Sequence, residues 1–509
     1  MRNDLTDYAL RITSVVAPPN VDTAALNPNP DPTIMIPPAT TFNQRAHDAL
    51  QDGNLQLALE RAMHHFVDGR LSAFARLPHG EALRDHARVI RANAIARLDE
   101  HLETFERHAR ANGSVVHWAR DDAEARAIVL QIARENGVQR IIKSKSMLSE
   151  EIELNRALEG AGLDVLETDL GEFIVQLAHD HPSHIIAPVV HWPLEDVQKL
   201  FHEHLGTPLD ASITDLTAAA RRALRDAFLQ ADMGVSGANF AVAETGSVVI
   251  VTNEGNGRFV TTTPRIHVAL VGIERMAPTL RELGTLLQLL ARSATGQPLS
   301  VYTSIVTGPR RSQEEDGPEQ VHIVLIDNGR TNALAGELAE SLYCIRCGAC
   351  LNVCPVYRRL GGHAYGSVYP GPIGITVTPA LDGLFPWHEL PQASTLCGAC
   401  TEACPVRIDI PRMLLKLRAD SVDAGLAPAW LHESLKVYAK AASNPALFKL
   451  GRKLAAKALR LAPKTENGWV KKMPGPLSAW TESRAFPPLA PKSFSERWRK
   501  RSQSRQHER

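Results

Sequence analysis

The sequence predicts an α/β domain with a helical extension before it and a cysteine-bearing module after it. Three observations carry this. Short apolar runs alternate with helical stretches from about residue 113 to 334. Apolar residues recur at helical spacing from Phe42 to about Asn112. All seven cysteines fall in two short motifs, at 344–354 and 397–404.

Residues 1–40, rich in proline, Asn and Asp, read as an irregular arm. Residues 41–112 read as a helical extension, typified by EALRDHARVIRANAIARLDEHLETFERHARANG, with Gly113 fitting the helix end. The α/β domain spans 113–334. The runs SVVHWA, RIIKSK, LDVLETD, SHIIAPVV, SVVIVTN, HVALVGI and HIVLIDNG read as its strands, and DDAEARAIVLQIAREN and DLTAAARRALRDAFLQADM as two of its helices. Strand and helix taking turns builds βαβ units and a mostly parallel sheet. PRRSQEEDGPEQ is a polar excursion before the last strand. The cysteine module occupies 335–420, with the Gly/Pro-rich loop GGHAYGSVYPGPIG between its motifs, and a basic region fills 421–509.

At 509 residues, with 44% hydrophobic and 22% charged side chains, the chain has the composition of an ordinary globular protein. Its formal net charge of zero argues against a nucleic-acid binder. The first residues, MRNDLTDYALRITSVVAPPN, lack the basic and apolar runs of an export signal, and no stretch is long and apolar enough to span a membrane. A cytoplasmic protein is expected. From Lys436 onward 18 Lys or Arg face 4 Glu. That tail reads either as a solvated, poorly ordered end or as a surface docking to an acidic partner or the inner membrane face, helped by Trp469, Trp480 and Trp498.

The cysteine spacing is the strongest signal. Cys344-x2-Cys347-x2-Cys350-x3-Cys354-Pro355 is the run of two-cluster ferredoxins, in which three thiolates hold one cubane and the fourth crosses to the other. Two-residue gaps let one tight turn aim three thiolates at one cube. The longer gap and the proline turn the fourth away. The second motif, Cys397-x2-Cys400-x3-Cys404-Pro405, reads as a repeat of that ending. Cluster one is then expected on Cys344, Cys347, Cys350 and Cys404, and cluster two on Cys354, Cys397 and Cys400. Three residues before Cys397 stands Ser394 rather than cysteine. Cluster two is therefore either [3Fe-4S], or [4Fe-4S] with its fourth iron on Ser394, water or a partner's ligand. Structural zinc is the competing reading, because C-x2-C pairs bind zinc too. Zinc wants four ligands per site and commonly takes histidine, so seven cysteines in an exchange pattern fit iron–sulfur better.

Two stretches of the α/β domain are ligand-binding candidates. KSKSMLSEEIELN places Lys143 and Lys145 at a strand end before a helix. GANFAVAETGSVVIVTNEGN places Glu244, Thr245, Gly246 and Ser247 in a turn before a strand, and Glu244 is the weak catalytic candidate. His184 and His191 read as ordinary core or surface histidines. Neither G-x-G-x-x-G after a strand nor G-x-x-x-x-G-K-[ST] occurs, so no standard dinucleotide or P-loop site is expected.

With RCGACLNVCPVYRRLGGHAYGSVYPGPIG, LCGACTEACPVRIDIPR, ETDLGEFIVQL and PSHIIAPVVH beside these, residues 40–420 resemble the iron–sulfur protein B family of lactate-utilisation operons. The resemblance implies an α/β domain similar to the sugar-isomerase and CoA-transferase group, followed by an α-helical two-cluster ferredoxin domain. It implies that the seven cysteines bind clusters. It also implies a role with two partner proteins in oxidising L-lactate to pyruvate, electrons leaving for a quinone or another carrier. Two other readings are carried forward. One makes the α/β domain a catalyst on a small 2-hydroxy acid, with Glu244 as base or nucleophile. The other makes the clusters redox sensors.

Overall fold

A computed structural model describes residues 40–427, 429–473, 478, 480–481, 484–488, 490 and 492–507. The irregular arm expected over 1–40 lies outside them, apart from its last residue. The chain forms two compact units, one reaching to Ser421 and the other beginning at Val422.

The first unit opens with helices α1 (Phe42–Gln51), α2 (Gly53–Ala75), α3 (Gly80–Ala96) and α4 (Leu98–Ala111). Thr41 and Gln44 form a reciprocal capping box at the start of α1, and Asp52 caps α2 through the amides of Asn54 and Leu55. The chain then alternates as its pattern predicts, except that SHIIAPVV forms turns rather than a strand. There the Ile186 and Ala187 amides donate to His184 Nδ1, and Pro188 has no amide to offer a ladder. The strands are β1 (Val115–Ala119), β2 (Arg140–Lys143), β3 (Asp164–Glu167), β4 (Met233–Gly237), β5 (Phe240–Val242), β6 (Ser247–Thr252), β7 (Ile266–Gly272), β8 (Met276–Ala277), β9 (Tyr302–Val306) and β10 (Gln320–Ile326). Six of them make a wholly parallel sheet in the order β1-β10-β7-β4-β2-β3. The others form a second sheet, β8-β5-β6-β9. All seven residues of β7 are buried, as expected of a central strand covered on both faces.

After β3 the chain returns across β2 to lay down β4, and then winds the other way through β7 and β10. The winding therefore reverses between β2 and β4, and a crevice opens there at the carboxyl ends of the strands.

The helical extension is the inner wall of the cysteine module. Leu59 and Met63 of α2 and Ala87 and Ile90 of α3 share one core with Cys347, Cys354, Cys400 and Cys404. Leu59 and Met63 are fully buried, and each such side chain contributes about 1.5–3 kcal/mol of transfer free energy.

The second unit is mostly helical where described: Ala429–Ala442, Pro445–Leu461 and Phe494–His507. Asn444 caps the second of these through the amides of Ala446 and Leu447. Val470, fully buried, bridges Lys464 and Phe486 in extended pairs. Over these residues the basic tail forms regular helices. No helix among the described residues is long and apolar enough to cross a membrane.

Candidate metal centre and the adjacent cleft

The two cysteine motifs have the same local build. Gly348 and Gly398 take left-handed conformations (φ 75° and 82°) and each starts a five-residue helix, Ala349–Val353 or Ala399–Ala403. A Cβ would disfavour that conformation, so C-G-A-C turns tightly at both places. The residues before the turns, Arg346 and Leu396, also have positive φ (57° and 54°). That strain costs about 1–3 kcal/mol each and is characteristic of sites whose geometry is imposed. Each helix ends on an extended cysteine, Cys354 or Cys404, followed by proline.

This build divides the thiols into two neighbourhoods. Cys347 and Cys404 repel one another's charge, and both feel Cys344. Cys350 feels Cys344, Cys347 and Cys404, and also Cys400. Cys400 in turn feels Cys354 and Cys397. All seven are free thiols. Cys344, Cys347, Cys350 and Cys404 line one small recess walled by Ile345, Ile373, Val406, Ile408 and Ile410. Backbone amides face its sulfurs: Arg346 N donates to Cys344 Sγ at 3.3 Å and Ile408 N to Cys404 Sγ at 3.4 Å. Burial, then the neighbouring thiols, pushes Cys347 upward, and burial first of all pushes Cys404 up to about 11. Packed thiols that cannot all ionise alone, apolar walls and amides aimed at sulfur suit a cationic, sulfur-ligated cluster.

Arginines from the helical extension hold this region from behind. Arg84 Nη2 donates to the carbonyl of Cys404 at 2.8 Å, and Arg70 Nη2 to that of Ala403 at 2.8 Å. Arg91, fully buried, ties the carbonyls of Leu342, Tyr343, Glu274 and Met276 together. The second neighbourhood is more open. Cys397 is exposed, and its thiol is lowered by hydrogen bonds from the Ala399 amide and the Thr395 side chain. Ser394 Oγ accepts from the amide of Leu396 at 3.1 Å, so its hydroxyl is engaged in its own turn.

The α/β candidates part company. Lys143 is sealed in the core, bonded to Ser149 Oγ (2.6 Å), Glu150 (3.0 Å) and Glu167 (2.7 Å). Burial opposes its charge, but the two carboxylates outweigh burial and raise it, which makes Lys143 a structural strut. The Glu244–Ser247 turn sits at the β5–β6 end remote from the crevice. Glu244 accepts from the Leu280 amide at 2.9 Å, at the start of helix Leu280–Ala294. A Cβ on Gly246 would lie 2.2 Å from Ala109 N, and Ser247 Oγ pairs with Thr307 Oγ1 at 3.0 Å. Asn112 donates to the Thr245 carbonyl. These are packing roles.

Lys145 instead lines a cleft of about 500 Å³ at the β2/β4 crevice. Ser144 and Ser146 after β2, Asp169 after β3, Gly237 and Asn239 after β4, and Glu274 and Arg275 after β7 contribute to it. So do Arg330, Arg346 and Tyr369. Under it, Arg330 grips Glu151 with two nitrogens (2.8 and 2.9 Å) and Glu274 with a third (2.6 Å). Burial works against the Glu274 charge, but Arg330, Arg275 and Arg346 bring its carboxyl down to about 2.

Comparison with known proteins fits this architecture. The LUD domain family matches residues 102–326, the 4Fe-4S dicluster domain 340–408, and the lactate utilisation protein B C-terminal domain 428–503. Lactate utilization protein B of Bacillus pumilus is 44% identical over 92% of this chain and 99% of its own. Those of Macrococcus caseolyticus (44%; 88% and 94%) and Shouchella clausii (42%; 92% and 98%) are similarly close. The chain belongs to the lactate utilization protein B family. Family membership extends into the basic region that the sequence motifs leave unassigned. A solved DUF162 family protein of Deinococcus radiodurans covers 45% of this chain and 98% of its own at 15% identity and a TM-score of 0.26, too slight a likeness to assign a fold.

Sequence reasoning misses several residues of this family member's site. Tyr365 is buried, its hydroxyl has no partner, and the nearby Cys354 and Cys350 charges act on it. Arg346 sits inside the first motif yet reaches the cleft, with Nε and Nη1 unpartnered and its guanidinium 4.1 Å over the Tyr369 ring. His184 is a satisfied core residue: Nδ1 accepts from Ile186 and Ala187, and Nε2 meets Asn352 at 3.0 Å. His191 pairs with Asp180 at 2.8 Å. Only the odd placement of an arginine between two cysteines, and the tyrosines of the GGHAYGSVYPG loop, signal any of this in the sequence.

Proposed function

We propose that this chain is the iron–sulfur electron-transfer component of a multi-protein system that oxidises L-lactate to pyruvate on the cytoplasmic side of the membrane. The observation that carries this is a pair of unlike thiol neighbourhoods, in a dicluster domain, within a chain matching lactate utilization protein B along 92% of its length. The first cluster would be held by Cys344, Cys347, Cys350 and Cys404. The second would be held by Cys354, Cys397 and Cys400 as a [4Fe-4S] cluster whose fourth iron is not on cysteine, with [3Fe-4S] as the alternative. Such clusters supply one-electron relay at potentials set by burial and by hydrogen bonds to sulfur. The residues around them do the rest. Arg84 and Arg70 fix the backbone, the Arg346 and Ile408 amides orient sulfur lone pairs, and the isoleucine walls exclude water. Two partner proteins would deliver the electrons and a quinone-linked carrier would take them. A sugar-isomerase/CoA-transferase-like lineage for the α/β domain is part of the same proposal.

The test is reduction of the clusters by L-lactate, followed anaerobically by EPR, with and without the partner proteins. Cluster signals that grow with lactate only when the partners are present support the relay. Unchanged lactate oxidation by a chain lacking all seven cysteines would overturn it and favour a sensing role.

A further inference from the structure

The cleft at the β2/β4 crevice has a chemistry that the relay does not use. Four cationic side chains line it, Lys145, Arg275, Arg330 and Arg346, against three carboxylates, Asp169, Glu254 and Glu274. Arg330 is consumed by Glu151 and Glu274. Two cations remain with unmet donors. Lys145 Nζ is covered from solvent and has no hydrogen-bond partner, and Arg346 Nε and Nη1 are in the same state in a side chain only 7% exposed. Buried donors without hydrogen-bond partners are costly, so native structures satisfy nearly all of them. Carboxylates stand near both, Glu172 and Asp169 by Lys145 and Glu274 at 3.9 Å from Arg346 Nη2, but among the described residues none hydrogen-bonds these donors. Ile174, Ile185, Pro188, Ile250 and Leu290 add an apolar lining to the cleft.

We propose that this cleft binds a short-chain monocarboxylate of the 2-hydroxy or 2-oxo type, its carboxylate taken by Lys145 and Arg346 and its carbon chain lying on the apolar side. Asp169 and Glu254 repel a dianion, which favours a carboxylate over phosphate. Ser144, Ser146 and Asn239 offer hydroxyl and amide groups for the oxygen at C2. Arg346 also lines the recess of the first four thiols, and its own amide donates to Cys344 Sγ. Arg346 therefore belongs to both the cleft and the first thiol recess. The choice of acid rests on the lactate reading, whereas the site itself rests on the buried cationic donors that lack hydrogen bonds.

The experiment uses the full-length, cluster-loaded protein in its oxidised state, titrated anaerobically with pyruvate and with L-lactate by calorimetry, inorganic phosphate serving as competitor. Saturable binding of either acid is expected, weakened about tenfold or more by Lys145→Met and partly restored by Lys145→Arg, as the loss of a charge-assisted hydrogen bond requires. Hydrogen exchange on the wild-type chain is the second measurement, and pyruvate should protect residues 144–148, 237–239 and 346–348. It decides the matter where Lys145→Met fails to retain its clusters. No saturable binding, unchanged affinity in a folded Lys145→Met, phosphate binding more tightly than pyruvate, or protection elsewhere would each overturn the proposal. Failure of the relay would instead show as clusters that lactate and the partners cannot reduce, with binding to the oxidised protein intact.

Discussion

The two thiol neighbourhoods share a backbone design and differ in what surrounds it. The first is lined by four cysteines, closed by isoleucines, braced by Arg70 and Arg84 through the carbonyls of Ala403 and Cys404, and adjoined by the cationic cleft. The second has three cysteines, one of them exposed, with Thr395 and backbone amides as its polar contacts. Identical turns thus make a buried, positively framed centre in one place and an open one in the other. The difference lies in the helices laid over the first. Positive surroundings stabilise an added electron, so on the relay reading the first centre is the internal acceptor and the second the surface exit.

The largest expected effect comes from removing a ligand. Cys344→Ala and Cys404→Ala should each abolish the first cluster and leave about four irons per chain, or three if the second is [3Fe-4S], by iron and sulfide analysis. Ser394→Ala should leave the iron content and the EPR of the second cluster unchanged, because its hydroxyl already serves the Leu396 amide. Next in size, Arg84→Ala should destabilise the first centre by about 2–4 kcal/mol, because it orphans buried carbonyls, and should hasten iron loss to a chelator. Thr395→Ala at the exposed centre should cost less than about 1 kcal/mol.

Acid provides a control remote from both centres. His267 is wholly buried in β7, with Nε2 2.8 Å from Ser236 Oγ, and burial, then the His322 charge, lowers it from 6.5 to about 4. The unfolded chain takes up that proton first, so stability is complete above about pH 6.5 and falls as the pH drops toward 4. Denaturant midpoints measured across that window should slope downward with acid, and less steeply in His267→Asn.

The smallest expected effect sharpens the comparison most finely. The unpartnered Tyr365 hydroxyl lies by Cys350 and Cys354, one from each neighbourhood. A donor to cluster sulfur stabilises the reduced form, so Tyr365→Phe should lower a reduction potential by on the order of tens of millivolts without changing iron content. Redox titration followed by EPR reads this.

Much of this was legible in the sequence, for identifiable reasons. The alternation of apolar runs gave away the parallel sheet because buried strands and amphipathic helices have different periods. The cysteine spacing singled out both motifs because clusters demand fixed sulfur positions. Lys143 and Lys145 look alike on paper, two residues apart at one strand end. Yet one is locked between Glu150 and Glu167 and the other has no hydrogen-bond partner at Nζ, since bonding depends on residues brought together by β3 and the helix after β2. Glu244 drew attention through its glycine-bearing turn, but such turns serve packing as readily as binding, and here the turn meets α4. The arginines of α2 and α3 act across some 320 residues of sequence, a distance at which no local pattern survives.

The most direct test of the account is the EPR spectrum of the dithionite-reduced single variants Cys344→Ala, Cys404→Ala, Cys354→Ala and Cys397→Ala. If the fourth thiol of each motif crosses to the other cluster, Cys344→Ala and Cys404→Ala leave the same residual signal, and Cys354→Ala and Cys397→Ala share the other. A Cys404→Ala spectrum matching that of Cys397→Ala would mean that each motif keeps its own cluster, and would contradict the account.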